Sequence, residues 1–243
     1  MSPKIRNRTE KQIQRNIKKE LGGSKPEKTE LSASPVFHML AVLTCILLPV
    51  TLVAIISGIV FRMPDLMALE LSRSGILSQM EIKMPPDEIA GEVFAYINHE
   101  TDALSPDVFP VKDEANLERI RDLLDKSLIP SVIVFILSLS FSFILWATGY
   151  QRYLKISLRG SVIFYICTVL FVVSLALFWP FRHLVFSLQP GIEYATGSVL
   201  MKLLGGFFPI FSASVIVLIS FIIYIALYSI LLRFTVEKEK LFK

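Results

Sequence analysis

Charge is what this sequence withholds. Four stretches, residues 35–61, 128–150, 161–181 and 207–232, contain no Asp, Glu, Lys or Arg at all. Each exceeds the roughly 20 residues that carry a helix across about 30 Å of hydrocarbon. A helix inside a soluble core seldom stays apolar for so long. The stretches also lack the two-residue alternation, broken by turns, that spanning strands show, so helices rather than a barrel are expected. Cysteine is scarce too. Cys45 and Cys167 both fall within apolar stretches, which argues against a disulfide framework and against a cysteine metal site.

Catalytic signatures are missing as well. The chain has no Walker loop, dinucleotide glycine pattern, His-Glu-x-x-His or nucleophile elbow. No cofactor and no metal is therefore implied. The apolar stretches hold none of the buried charges that mark ion and proton pathways, and no internal repeat is visible, which argues against a pump or transporter. The first stretch is far longer than the roughly 7–15 residues of a signal-peptide core, so it reads as an uncleaved anchor. No lipobox-like cysteine follows it.

What is present is hydrophobicity gathered into blocks: 53% of the 243 residues are hydrophobic and the mean hydropathy is +0.59. The expected fold class is all-α, a polytopic integral membrane protein with four transmembrane helices and a small helical extracytoplasmic domain between the first and second. Basic residues in short flanks are retained in the cytoplasm, and they set the orientation. Residues 1–34 carry nine basic residues against four Glu, residues 151–160 carry Arg152, Lys155 and Arg159 with no acid, and the tail 233–243 adds Arg233, Lys238, Lys240 and Lys243. Residues 62–127 hold seven basic and fourteen acidic residues, and suit the outer face. Residues 182–206 form the second outer loop. Both termini are thus expected in the cytoplasm, in a bacterial cytoplasmic membrane. A pI near 9.0 is accounted for by these flanks, and nucleic acid is not implied. Residues 1–34 read as a topogenic tail, and Ile13, Ile17 and Leu21, at i, i+4 and i+8, also allow a short amphipathic helix on anionic lipid.

Within 62–127, Pro85-Pro86-Asp87 followed by Ile89, Val93, Tyr96 and Ile97 predicts a helix capped by Asp87 and ending near Asn98 or His99. A loop over 100–110 precedes a second helix, capped by Asp113 and running to about Lys126, with Leu117, Ile120 and Leu124 on its apolar face. Its charges are spaced for surface ion pairs, Arg119 with Asp122 or Glu118 with Arg121.

This order of spans and loops resembles the Gram-positive lipoprotein intramolecular transacylase family, Lit. Two regions carry the likeness. Asp113-Glu114-Ala115-Asn116-Leu117-Glu118-Arg119-Ile120-Arg121-Asp122-Leu123, with Tyr96 upstream, is similar to a family motif of the form Glu-x-x-His-(apolar)-x-acid-Val-basic-x-Leu. Phe181-Arg182-His183-Leu184-Val185-Phe186 and the run from Leu200 to Phe208 occupy the place of a second family region. Asn116 stands where the pattern has its first histidine, Arg119 where it has an acid, and Gly197-Ser198 where an Asp is usual. His183, the second histidine, is kept.

The resemblance implies acyl transfer from the sn-2 position of a diacylglyceryl lipoprotein to its own N-terminal amine. His183 would then carry the proton, assisted by Asn116, with Tyr96, Arg121 and Arg119 holding the substrate. Asparagine cannot shuttle a proton near neutral pH. Three readings therefore stand: an acyltransferase; a non-catalytic relative that binds lipid or lipoprotein and meets a membrane protein partner through its acidic outer domain; or a topological scaffold with no ligand, which needs no pocket. His99 reads as a surface residue, and His38 lies at the entry to the first stretch.

Overall fold

The computed structural model describes residues 35–79, 81–106, 108–109, 111–178, 199, 202 and 206–241. Its elements are α1 (Pro35–Val60), α2 (Pro64–Ser74), α3 (Ile76–Gln79), α4 (Pro86–Ile97), α5 (Val111–Ala147), α6 (Gln151–Leu177) and α7 (Phe208–Leu241). No strand occurs among the described residues. Four helices, α1, α5, α6 and α7, are long and apolar enough to cross a membrane. The chain is a multi-pass, all-helical membrane protein. Residues 40–243 form one compact unit; of residues 1–39 only 35–39 are described, as the first turns of α1. The basic tail 1–34 lies outside the described residues.

The spans meet through a buried core of Leu48, Leu52, Val53, Ile56 and Val60 on α1, Tyr165 on α6, and Ile216 and Tyr224 on α7. Hydrocarbon offers no hydrogen-bond partner, so hydroxyls there must bond within the protein. Thr44 Oγ1 donates to the Leu40 carbonyl at 2.9 Å, and Ser138 Oγ to the Val134 carbonyl at 2.8 Å, each one turn back. Others bond across helices. Ser157 Oγ donates to the Ala41 carbonyl at 2.7 Å, Ser161 Oγ lies 2.7 Å from Tyr224 Oη, and Tyr165 Oη lies 3.0 Å from Ser220 Oγ. The rings of Tyr165 and Tyr224 stack with centroids 4.3 Å apart. Close approach of α1 and α6 depends on a missing side chain: a Cβ at Gly160 would fall 2.7 Å from Cys45 Sγ.

Several local expectations are corrected. α4 starts on Pro85 as its N-cap with Pro86 in the first turn, and no side chain caps it, so Asp87 sits one position inside the helix. It ends as expected, with Asn98 as C-cap. Asp113 is not the N-cap of its helix either, because that helix has already begun at Val111. The amphipathic segment and the second span are not separate: α5 runs unbroken for 37 residues, with Pro130 inside it. Membrane helices tolerate an internal proline where neighbours re-satisfy the freed carbonyl. α5 then turns into α6 through only Thr148, Gly149 and Tyr150. Gly149, at φ 84°, supplies the left-handed residue this reversal needs. The basic connection 151–160 is therefore helical, the first turns of α6.

Between the first two spans, α2, α3, α4 and the first turns of α5 share a second core. Leu71, Ile89, Val93, Tyr96, Leu117 and Leu124 are among its buried residues, and Phe208 of α7 joins them. Sequence periodicity predicted α4 and the α5 segment but not α2.

Candidate functional site

Tyr96 ends up inside this core because it follows Ile89 and Val93 on the buried face of α4, and only 3% of it is exposed. Arg121 reaches it from α5. The guanidinium carbon lies 4.6 Å from the Tyr96 ring centroid, and Nη1 donates to the Tyr96 carbonyl at 3.4 Å. Burial pushes the Tyr96 phenol above its ordinary value, partly offset by the Arg121 charge, while Glu118, Glu114 and Asp102 add to the rise.

Asn116 occupies the buried face of α5 with Leu117 and is 1% exposed. Asp113, one turn earlier, is fully buried. A 3.6-residue period sets 113, 116, 117, 120 and 124 on one stripe, so both polar groups enter the core with the apolar ones. Arg119 faces out and is exposed. Asp122 pairs with Lys126 at 2.9 Å, and that bond draws its carboxyl below the usual range.

Tyr96 and Arg121 are thus brought together. Asn116 points into the core and Arg119 away from it, so the four do not converge on one accessible cavity. On sequence alone, the apolar face of the 113–126 segment has to be covered by the bilayer surface or the second outer loop, which leads Asn116 to be expected near His183; His183, Gly197 and Ser198 lie outside the described residues, and so does that approach.

Two further polar positions hold this region together. Asp125 of α5 bridges Arg62, just past the end of α1, and His99, whose Nε2 lies 2.7 Å from Asp125 Oδ2. His99 follows α4 in the left-handed region at φ 62°, a conformation uncommon for a residue with a Cβ. Glu70 of α2 is buried and accepts from the Phe207 amide at 3.1 Å, tying α2 to the start of α7. An acid between leucines, Leu69-Glu70-Leu71, was the one available sequence signal for it.

At the same end of the bundle, α6 and α7 part to leave an open cleft of about 510 Å³. Val173, Leu177, Ile210, Ala213, Val217 and Phe221 line it, with Ser214 as its polar member. No group of three or more His, Cys, Asp or Glu placed to hold a metal occurs among the described residues. No family model, curated protein or solved structure matches the chain.

Proposed function

We propose that this chain is a Lit-like protein of the bacterial cytoplasmic membrane, with both termini inside and α2–α4 outside. It binds the acyl part of a lipoprotein or lipid at the outer leaflet without transferring it. The cleft between α6 and α7 carries the reading. Its volume falls within the roughly 300–1,000 Å³ of small-molecule sites, and its lining suits an acyl chain. The orientation rests on the basic flanks, and it sets the cleft at outer-leaflet depth.

Binding is favoured over transfer by the use made of the motif residues. Tyr96 and Asn116 are packed into a core, and Arg121 is engaged by Tyr96. A group that moves protons has to reach its substrate. The transferase reading keeps His183 as its carrier.

A photoreactive diacylglyceryl lipopeptide, incubated with the purified chain, separates the two. The binding reading expects labelling on α6 and α7 and recovery of the peptide with a free N-terminal amine. Recovery of an N-acyl, lyso-glyceryl cysteine that His183→Ala abolishes replaces binding by transfer. Labelling spread evenly over all lipid-facing helices removes the cleft as the site.

A further inference from the structure

Tyr96 and Asn116 are shut into a core, whereas one histidine of the same region stays within reach of a substrate. His99 follows α4, and its side chain is 55% exposed. Its Nε2 lies 2.7 Å from Asp125 Oδ2 on α5, and no hydrogen bond to its Nδ1 occurs among the described residues. The carboxylate is held in turn, because Arg62 donates to Asp125 Oδ1 from just past the end of α1. Each group orients the next. Asp122, one turn earlier on α5, lies close enough for its carboxyl to feel the His99 charge.

An exposed ion pair by itself implies little. Two further observations separate this one from an ordinary surface pair. His99 takes φ 62° directly after Asn98, the C-cap of α4, at a position where glycine is the usual residue. A side chain kept on such a backbone is a mark of functional sites. The second observation is depth: Arg62 is the first charge after the uncharged stretch 35–61, and Asp125 stands just before the uncharged stretch 128–150. Both mark the boundary of hydrocarbon and headgroups, and His99 is fixed there through Asp125. The glyceryl esters of membrane lipids lie at that boundary.

We propose that His99, oriented by Asp125, is the general base of a site that hydrolyses glyceryl esters at the membrane surface. Nδ1 takes a proton from water while the water oxygen bonds to the acyl carbonyl carbon. The tetrahedral intermediate then collapses, the bond from that carbon to the glyceryl oxygen breaks, and the imidazolium returns its proton to the departing oxygen. A fatty acid and a lyso-glyceryl product result, and only water is consumed. Between the two transfers Asp125 steadies the imidazolium, with Asp122 beside it. Imidazole suits both steps because it accepts and donates protons near neutral pH. This activity does not draw on the α6–α7 cleft.

The test uses the full chain purified in neutral detergent, in water enriched in oxygen-18, with phosphatidylglycerol in one arm and a diacylglyceryl lipopeptide in the other. The wild type should release fatty acid carrying one heavy oxygen, and the responding arm identifies the source of the ester. His99→Gly should cut the release about 100-fold or more, the lower end of what a general base contributes. Its thermal midpoint should stay near that of the wild type, since glycine suits the left-handed backbone. Added imidazole should restore part of the lost rate. Asp125→Asn, which leaves an amide unable to steady the imidazolium, should fall between the two. No release by the wild type in either arm would overturn the site, as would release that His99→Gly leaves intact. A loss that imidazole does not restore, with a fallen midpoint, would make His99 structural and overturn it too.

Discussion

Arg121 covers the ring of Tyr96 and donates to the carbonyl of the same residue, so one side chain joins α5 to α4 by both its charge and its hydrogen bond. A cation over a ring contributes about 0.5–1 kcal/mol where exposed and about 2 or more where desolvated. Arg121 is half-buried. Arg121→Ala should lower stability by about 1–2 kcal/mol, read as a fall in the thermal midpoint in detergent. Arg121→Lys should recover part of that loss, and a loss confined to α1 or α7 in hydrogen exchange would count against the link.

The same pair sets a pH dependence. Because the folded state holds the Tyr96 phenol above its ordinary value of 10.0, the folded protein stays protonated there while the unfolded chain ionises. The stabilising difference is complete below pH 10 and is lost as pH climbs through the folded value. Thermal midpoints should therefore fall more steeply above pH 10 in the wild type than in Tyr96→Phe. Parallel curves would show that Tyr96 does not carry the dependence.

Asp125 holds two cationic or polar partners from different segments, Arg62 and His99. Arg62 is 18% exposed at its side chain and Asp125 35%, intermediate between a surface pair and a buried one. Asp125→Asn should cost about 1–3 kcal/mol, between the ranges for those two cases. Hydrogen exchange should quicken at the end of α4, where His99 loses the partner that accompanies its left-handed backbone.

Gly160 tests the spacing of α1 against α6. Adding one methyl at this position forces it onto Cys45 Sγ, and overpacking typically costs about 1–3 kcal/mol. Gly160→Ala should show that loss, while Gly160→Ala combined with Cys45→Ala should recover most of it. Additive losses in the double variant would place the strain elsewhere.

Orientation is tested with single cysteines in a chain whose Cys45 and Cys167 are replaced by alanine. Asp102→Cys should react with a membrane-impermeant thiol reagent in intact cells, and Thr148→Cys only after permeabilisation. Both native side chains are exposed, so burial does not confuse the result. The reverse pattern inverts the proposed topology.

The four spans were legible because hydrocarbon tolerates few charges, and the sequence marks its spans by omitting them. Periodicity likewise placed Ile89, Val93, Tyr96, Leu117 and Leu124 on buried faces. Caps were harder: Asp87 and Asp113 have the right chemistry for an N-cap, but Pro85 and Val111 start the helices earlier, and hydrophobic patterning says little about the first turn. The join at Ser127 was hidden because composition changes there while the backbone does not. Asn116 and Asp113 show the reverse limit. A polar residue on an apolar stripe is read as exposed until the helix packed against it is known, and a loop separates α4 from α5 along the chain. Asp125 was overlooked because its partners are 63 and 26 residues distant, beyond any local spacing rule.

The unbroken course of α5 makes a mechanical statement. A helix of 37 residues is a rod of about 55 Å, and its first turns are built into the core shared with α4 while its far end carries Trp146, whose indole donates to the Phe234 carbonyl at 3.2 Å. A load applied to α4 enters that rod through Arg121 and Asp125 and leaves it at the turn around Gly149. No loop stands between, and Pro130, which removes one backbone hydrogen bond, is where the rod can bend. Displacement of α4 would therefore reach Trp146 and its contact with α7 only as far as the rod stays stiff at Pro130.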